Sequence, residues 1–191
     1  MEVQILRITR ANYKQYLPGI RTCYLEAYQC IVRKQPELAY FLIEVRNVLR
    51  VHLSDEDFPG HYFDHGQSKR NAFWVALCNG AVSGTRSGHV LVGGARCELN
   101  HLSVHPLAQR SGIAEALYAA SEAYATSKHC KRTALFAWAD NTAARALQAK
   151  MGYTVKSTDY ADVPGARDKL CVYSTKRLLQ QAAPPIKKRK V

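Results

Sequence analysis

The sequence predicts one α+β domain over residues 1–178, followed by a short basic tail over residues 179–191. Two observations predict this fold class. Short runs rich in β-branched and aromatic residues alternate with longer segments in which apolar residues recur every three or four positions. The length of 191 residues is also typical of a single domain. The elements follow in the order β-α-α-β-β-β-α-β-α-β-β.

The N-terminal third predicts one strand and two helices. Residues 3–9 form a short β-branched run, which indicates an edge strand. Helical spacing over residues 12–33 and 36–51 predicts two helices, and Pro36 stands where the second would begin. Residues 54–71 are polar and contain Pro and Gly, so we expect a surface loop there.

Most of the predicted strands lie in the rest of the chain. Asn79-Gly80 lies between the β-prone runs 73–78 and 81–83, and this dipeptide is the strongest short signal of a hairpin. Further strands are predicted over residues 89–92, 98–104, 133–138, 153–158 and 170–175, and further helices over residues 115–127 and 141–151.

Charge is the unusual bulk property of the chain. The 27 Lys and Arg residues against 15 Asp and Glu give a net charge of +12. A basic surface attracts anions, so a phosphate-bearing cofactor and a nucleic acid both fit. The tail is expected to be disordered on composition, and its basic run resembles a nuclear-import signal that an import receptor would bind. A solvated or added tail is the alternative. The run consists of Lys187, Lys188, Arg189 and Lys190.

Cysteine usage and hydropathy indicate the compartment. The six cysteines contain no C-x-x-C pair, which fits neither a disulfide framework nor a zinc site. There is no long apolar run and no secretory signal pattern, so we expect a protein of the cytoplasm or nucleus without a membrane partner. His61, Asp64 and His65 cluster in the predicted loop, but such clusters are usually solvated, and we expect no metal.

A segment before the helix at 115–127 is a candidate anion site. The first turn of a helix leaves main-chain N–H groups without partners, and the helix dipole adds positive charge there. Small residues in this segment leave those groups accessible, and one Arg adds a charge for phosphate oxygens. An ordinary strand-to-helix turn is the alternative. The segment consists of Gln109, Arg110, Ser111, Gly112, Ile113 and Ala114.

Two motifs then resemble those of the GNAT superfamily, the acetyl-CoA-dependent N-acetyltransferases. Gln109, Gly112 and Ala114 match the family's phosphate-binding loop Q/R-x-x-G-x-G/A. The downstream segment DNTAARALQAKMGY matches the family's second motif at Asn141, Ala144, Leu147, Lys150, Gly152 and Tyr153. The resemblance covers residues 3–176. It implies a mixed, mostly antiparallel sheet of six to seven strands flanked by about four helices, splayed between the fourth and fifth strands.

The resemblance also implies how acetyl-CoA, the cosubstrate, would bind. The loop at 109–114 would hold the pyrophosphate. Main-chain groups of Leu102, Ser103 and Val104 on the fourth strand would bind the thioester carbonyl and the pantetheine arm, which lies in the splayed gap. Asn141 would contact that arm from the fifth-strand side, although a helix N-cap is an equally ordinary role for this residue.

The acetyl transfer needs a base for the amine and an acid for the leaving thiolate. Glu98 is the candidate base, at the offset from the loop where histone-type members carry a catalytic Glu, and His101 is its rival. Strand alternation predicts that the two lie on opposite faces, so that only one looks into the acceptor site. The family's usual acid is a Tyr seven residues after Asn141, where this chain has Gln148, which cannot give up a proton. Tyr153 and Tyr160 are substitute candidates.

The sequence therefore predicts an N-acetyltransferase that joins acetyl-CoA and a primary amine in a ternary complex with direct attack. Small-molecule amines and protein or peptide amines, whether lysine or N-terminus, remain open as acceptors. The alternative is a catalytically inactive module of the same fold that binds coenzyme A or nucleic acid. A nucleic-acid partner is not expected, because no aromatic and basic RNA-binding motif is present.

Overall fold

The computed structural model describes residues 2–63, 70–160 and 169–178. The basic tail at 179–191 lies outside these residues, as do Asp64 and His65 of the predicted cluster. No helix in the described part of the chain is both long and apolar enough to cross a bilayer.

Seven strands form one sheet in the order β1-β2-β3-β4-β5-β7-β6. Every neighbouring pair is antiparallel except β4 and β5, which run parallel. The predicted fold class, a mixed and mostly antiparallel sheet, is therefore confirmed. The strands are β1 (Val3–Ile8), β2 (Asn71–Cys78), β3 (Ala81–Val90), β4 (Arg96–Val104), β5 (Arg132–Trp138), β6 (Thr154–Tyr160) and β7 (Leu170–Arg177).

Helices cover both faces of the sheet. One face of β2 packs against the first three helices through Phe73, Val75 and Leu77, and the other face packs against the fourth through Trp74 and Ala76. Because β2 is buried on both faces, its sequence reads as a nearly continuous apolar run. The helices are α1 (Tyr13–Lys34), α2 (Phe41–Val51), α3 (Asp57–Phe63), α4 (Ile113–Ser127) and α5 (Thr142–Lys150).

The structure corrects the sequence prediction at three places. Pro36–Leu38 form a separate 3₁₀ turn, so α2 begins at Phe41 and not near Pro36. Residues 54–71 were predicted to be a surface loop, but α3 lies within them and buries Phe58 and Tyr62 against the α1 and β2 core. The predicted break between residues 83 and 89 is absent, since β3 runs through it without interruption.

Two irregularities of the sheet create the space for a site. The parallel pairing of β4 with β5 covers only Arg96–Glu98 against Arg132–Ala134, so the two strands separate beyond Glu98. The register of β3 against β4 also shifts between Thr85 and Ser87. Arg86 therefore faces two residues of β4, which form a β-bulge. These are His101, whose φ of 54° is left-handed, and Leu102.

Candidate active site

A cavity of about 720 Å³ lies where β4 and β5 separate. The β4 side is lined by Asn100, His101 and Leu102, and the opposite side by residues at the end of β5 and on α5. Backbone groups of β4 beyond Glu98 have no partner strand on this side, because the pairing with β5 has ended. The gap that the family resemblance implied is therefore present between the fourth and fifth strands.

The predicted phosphate loop leads directly into α4. Arg110 and Gly112 both have left-handed backbones, with φ of 65° and 82°, which turn the chain sharply before Ile113. The N-cap residue of α4, Gly112, has no side chain with which to cap the first turn. The amides ahead of Glu115 are available to an anion, whereas the Glu115 carboxylate accepts from its own N–H. The 15-residue helix adds its dipole. Gln109, Arg110 and Ser111 are exposed, so solvent reaches this end of the helix.

Close packing fixes the loop against the sheet. A Cβ on Gly84 of β3 would come 2.6 Å from Cγ2 of Ile113, the first residue of α4. The absence of a side chain at Gly84 is thus what allows α4 to approach β3. The Ser111 hydroxyl donates to the Ala108 carbonyl at 2.5 Å, and the Gln109 amide donates to the Val104 carbonyl at 3.4 Å. Ile113 is buried beneath the turn, and Ala114 is half-buried.

Asn141 performs the capping role that sequence reasoning left open and also lines the cavity. Its Oδ1 accepts from the Ala144 N–H at 3.0 Å at the start of α5. The same residue lies on the wall of the gap, together with Ala144 and Gln148. The two readings of Asn141 are compatible in this structure.

The bulge in β4 overturns one sequence prediction. Strict alternation placed Glu98 and His101 on opposite faces, yet both line a second cavity of about 470 Å³. The reason is the left-handed residue His101, which changes the alternation at the bulge. Asn100 and His101 line both cavities, so the two cavities meet at β4.

Four histidine side chains line this second cavity, those of His52, His61, His89 and His101. Their rings come from four elements, and His52 and His101 lie 5.8 Å apart between ring centroids. Burial and, to a smaller extent, the neighbouring imidazoles of His52 and His61 lower the pKa of His101 to about 3. Burial also lowers the pKa of His61 to about 4 and lowers the pKa values of His52 and His89. All four rings are neutral at pH 7.

Glu98 brings the carboxylate of this cavity. Its side chain is 23% exposed and lies 3.1 Å from the Arg96 guanidinium. Arg96 in turn donates to the Tyr173 hydroxyl at 2.9 Å, which fixes the pair. The carboxylate lines the second cavity while it holds this ion pair. On the other side of the site, the Tyr24 hydroxyl lies 3.4 Å from Nδ1 of His101.

Tyr153 lies elsewhere, although its position in the second motif made it a candidate acid. Its hydroxyl donates to Glu122 at 3.0 Å and lies 2.8 Å from the Thr133 hydroxyl. The side chain is 5% exposed, packs with Tyr118 and Leu135, and is not among the residues that line the gap. Burial raises the pKa of its hydroxyl. Tyr160 does line the gap, at its exposed mouth.

Several site residues had no clear signal in the sequence. His52 stands at the end of α2, and Tyr24 lies inside α1, where helical spacing indicated only packing. Arg86 is fully buried in β3 beside the gap. His61 was considered only as a metal ligand, but no His, Cys, Asp or Glu cluster suited to a metal exists among the described residues.

Comparisons with known proteins agree with this geometry. The model of the acetyltransferase (GNAT) family matches residues 33–153. The PaiA N-acetyltransferase from Thermoplasma acidophilum, in complex with coenzyme A, superposes with a TM-score of 0.71 at 15% identity, over 93% of this chain and 100% of that chain. No curated protein sequence gives a significant match.

Two further solved structures share the fold. The ribosomal-protein-S18-alanine N-acetyltransferase from Escherichia coli gives a TM-score of 0.63 at 16% identity, over 97% of this chain and 98% of that chain. A GNAT-family acetyltransferase from Staphylococcus aureus gives 0.65 at 14% identity, over 93% and 100%. Since the family model spans more than half of the 191 residues, this chain belongs to the GNAT family of acetyltransferases, whose cosubstrate is acetyl-CoA.

Proposed function

We propose that this enzyme transfers the acetyl group of acetyl-CoA to a primary amine held in the histidine-lined cavity, by direct attack in a ternary complex. The observation that carries the proposal is the meeting of two cavities at the bulge of β4. One cavity lies in the β4–β5 gap, and the other contains Glu98. An acyl donor in the first and an amine in the second would have their reacting atoms at Asn100 and His101.

Residues in the first cavity and on the elements next to it fit coenzyme A. The uncapped amides at 109–114 and the Arg110 side chain suit a pyrophosphate. Main-chain groups of Leu102, Ser103 and Val104 stand at the unpaired part of β4, where an extended arm would hydrogen bond as a strand does. When bound, acetyl-CoA supplies the thioester. The Leu102 N–H would donate to its carbonyl oxygen, as a one-donor oxyanion site.

Glu98 is the proposed base, and His101 is proposed to orient the amine. A primary amine with a pKa of about 10.4 is protonated at pH 7 and must lose that proton before it attacks. A carboxylate in the acceptor cavity can take the proton directly or through water. His101 is a weak base at pH 7 because burial lowers its pKa to about 3. Its neutral ring can instead orient the amine by a hydrogen bond.

The electrostatics of the second cavity favour an acceptor with one ammonium group. Glu98 is the single carboxylate among the described residues that line it, and Arg96 already offsets part of its charge. The neutral imidazoles offer hydrogen bonds without repelling a cation. A polyamine would bring several charges to this one carboxylate, so an arylalkylamine, an amino acid or a peptide amine fits better.

The test is release of coenzyme A from acetyl-CoA with a panel of amines. The panel contains arylalkylamines, amino acids, polyamines, histone peptides and peptides with free N-termini. Glu98→Gln is expected to lower kcat by about 100-fold or more, the usual contribution of a positioned base. Glu37→Gln is the matched control and should behave as wild type, because Glu37 is exposed and lines neither cavity.

The alternatives give distinct results. Full activity of Glu98→Gln would place the base elsewhere. Binding of acetyl-CoA without turnover for any amine would favour the inactive module. Preference for polyamines would contradict the proposed acceptor class while leaving the acetyl transfer intact.

A further inference from the structure

Arg86 is a buried charge beside the β4–β5 gap. It is 1% exposed, and its guanidinium carbon lies 3.9 Å from the centroid of the Tyr118 ring. It lines the same cavity as Leu102 and Gln148. Its place in β3 is opposite the bulge at His101 and Leu102, so it stands at the level where the thioester is proposed to lie.

The Arg86 guanidinium has no ion-pair partner in the described part of the chain. Its Nε and Nη2 atoms are buried and have no hydrogen-bond partner there, and no carboxylate there forms an ion pair with it. An arginine stays protonated in proteins, so burial cannot neutralise it. The Tyr118 ring offsets only part of the cost of this buried charge. Such an arrangement is suited to an anion that is present only during the reaction.

The proposed reaction produces an anion in this cavity. As the amine nitrogen forms its bond to the carbonyl carbon, the C–S bond breaks and its electron pair leaves on the sulfur. Gln148 stands at the family's Tyr position, lies on the cavity wall and is 6% exposed. An amide can donate a hydrogen bond but cannot supply the proton that the sulfur lacks. Tyr153 is engaged by Glu122 and Thr133.

We propose that Arg86 stabilises the coenzyme A thiolate, so that the sulfur leaves as an anion without a proton from a protein acid. This inference rests on the proposed function. The amine proton passes to Glu98, and the thiolate takes a proton from solvent on or after release, so charge and protons balance. A positive charge in a site of low dielectric acts on a forming anion without direct contact.

Other ionisable groups around the cavity leave this assignment in place. Arg96 of β4 differs from Arg86, because it forms an ion pair with Glu98 and donates to the Tyr173 hydroxyl. His101 is neutral at pH 7. Asp159 of β6 carries a negative charge, which opposes a thiolate. The remaining groups are Cys171 and the hydroxyls of Tyr28, Tyr118, Tyr160 and Tyr173.

The test measures the bound thiol and does not depend on turnover. The ultraviolet absorbance of the thiolate is followed against pH for coenzyme A bound to the enzyme, with the complex of desulfo-coenzyme A as the blank. The pKa of the bound thiol should lie at least one unit below that of free coenzyme A in the same buffer, as expected near an opposite charge. Calorimetric titration checks that the cofactor is bound in each sample.

Three variants separate charge from structure. Arg86→Met should raise the bound thiol pKa by about one unit or more, a tenfold loss of thiolate at a given pH, and should lower kcat by a similar factor. Arg86→Lys keeps the charge and should retain most of the effect. Arg132→Met removes an equal charge from an exposed residue at the start of β5, where β5 is still paired with β4. It should change neither the pKa of the bound thiol nor kcat.

The outcomes are decisive even if Arg86→Met fails to fold. A bound thiol in the wild-type enzyme with the pKa of free coenzyme A would overturn the inference, as would a lowered pKa that survives in Arg86→Met. Failure of the wild-type enzyme to bind coenzyme A would overturn the proposed function, and this inference with it. A lowered pKa without turnover of any amine would support Arg86 and contradict the proposed acceptor.

Discussion

The Tyr153→Phe substitution separates a structural role from a catalytic one. The change removes one hydroxyl from the cluster of Thr133, Glu122 and Tyr153. Thr133 is fully buried, so its hydroxyl loses its side-chain partner. The lost bond to the Glu122 carboxylate is of the charged kind, and Glu122 keeps the Lys176 ammonium at 2.8 Å. We expect a loss of about 2 kcal/mol in the free energy of unfolding.

That loss should appear as a fall of roughly 4–8 °C in Tm for a chain of this size. The kcat for acetyl transfer should stay within about twofold, because Tyr153 does not line the gap. Thermal unfolding by circular dichroism and steady-state kinetics measure the two quantities. Tyr160→Phe removes the same atom from a side chain that is 67% exposed, and its Tm should be unchanged. A large fall in kcat for Tyr153→Phe at unchanged Tm would refute the reasoning and restore Tyr153 as the acid.

Three further predictions concern packing, pH and the tail. Gly84→Ala places a Cβ 2.6 Å from Ile113 Cγ2, so it should lower the free energy of unfolding in urea by about 1–3 kcal/mol. It should also weaken coenzyme A binding. A variant as stable as wild type would contradict the close approach of α4. The folded-state pKa of His101, about 3, lies below its unfolded value, so the stability it contributes is complete above about pH 6.5 and is lost as pH falls toward 3. Between pH 6 and 4, His101 should contribute about 1 kcal/mol per pH unit to the pH dependence of the unfolding free energy measured in urea, and His101→Asn should reduce the slope by about that amount. We also propose that the tail directs nuclear import; a fluorescent fusion should become cytoplasmic when Lys187, Lys188, Arg189 and Lys190 are replaced by Ala, and an unchanged distribution would exclude this role.

The sequence predicted those features whose signals are local. The loop at 109–114 and the helix after it combine a turn, a glycine and helical spacing within one short stretch. Asn79-Gly80 fixed the β2–β3 hairpin in the same way. For such elements, the residues that carry the signal are neighbours in the sequence, and pattern reasoning succeeds.

The features that were missed depend on contacts between distant residues. Phe58 and Tyr62 are isolated apolar residues in a polar segment, and only the core formed with α1 and β2 shows that they share a helix face. The bulge at His101 follows from the pairing of β3 with β4, while the β4 sequence by itself suggests plain alternation. Arg86 stands between small residues that looked like a strand break. Those small neighbours in fact belong to a continuous strand that carries the arginine into the interior.

The shared wall formed by Asn100 and His101 has a practical consequence. A single molecule in which the sulfur of coenzyme A is linked to the acceptor amine would occupy both cavities at once. Such a conjugate gains from effective concentration, because binding of one half holds the other half at its own site. A series of conjugates with different amines would therefore rank acceptors by affinity alone, independently of the rate of acetyl transfer, and the tightest would show which amine the imidazoles recognise.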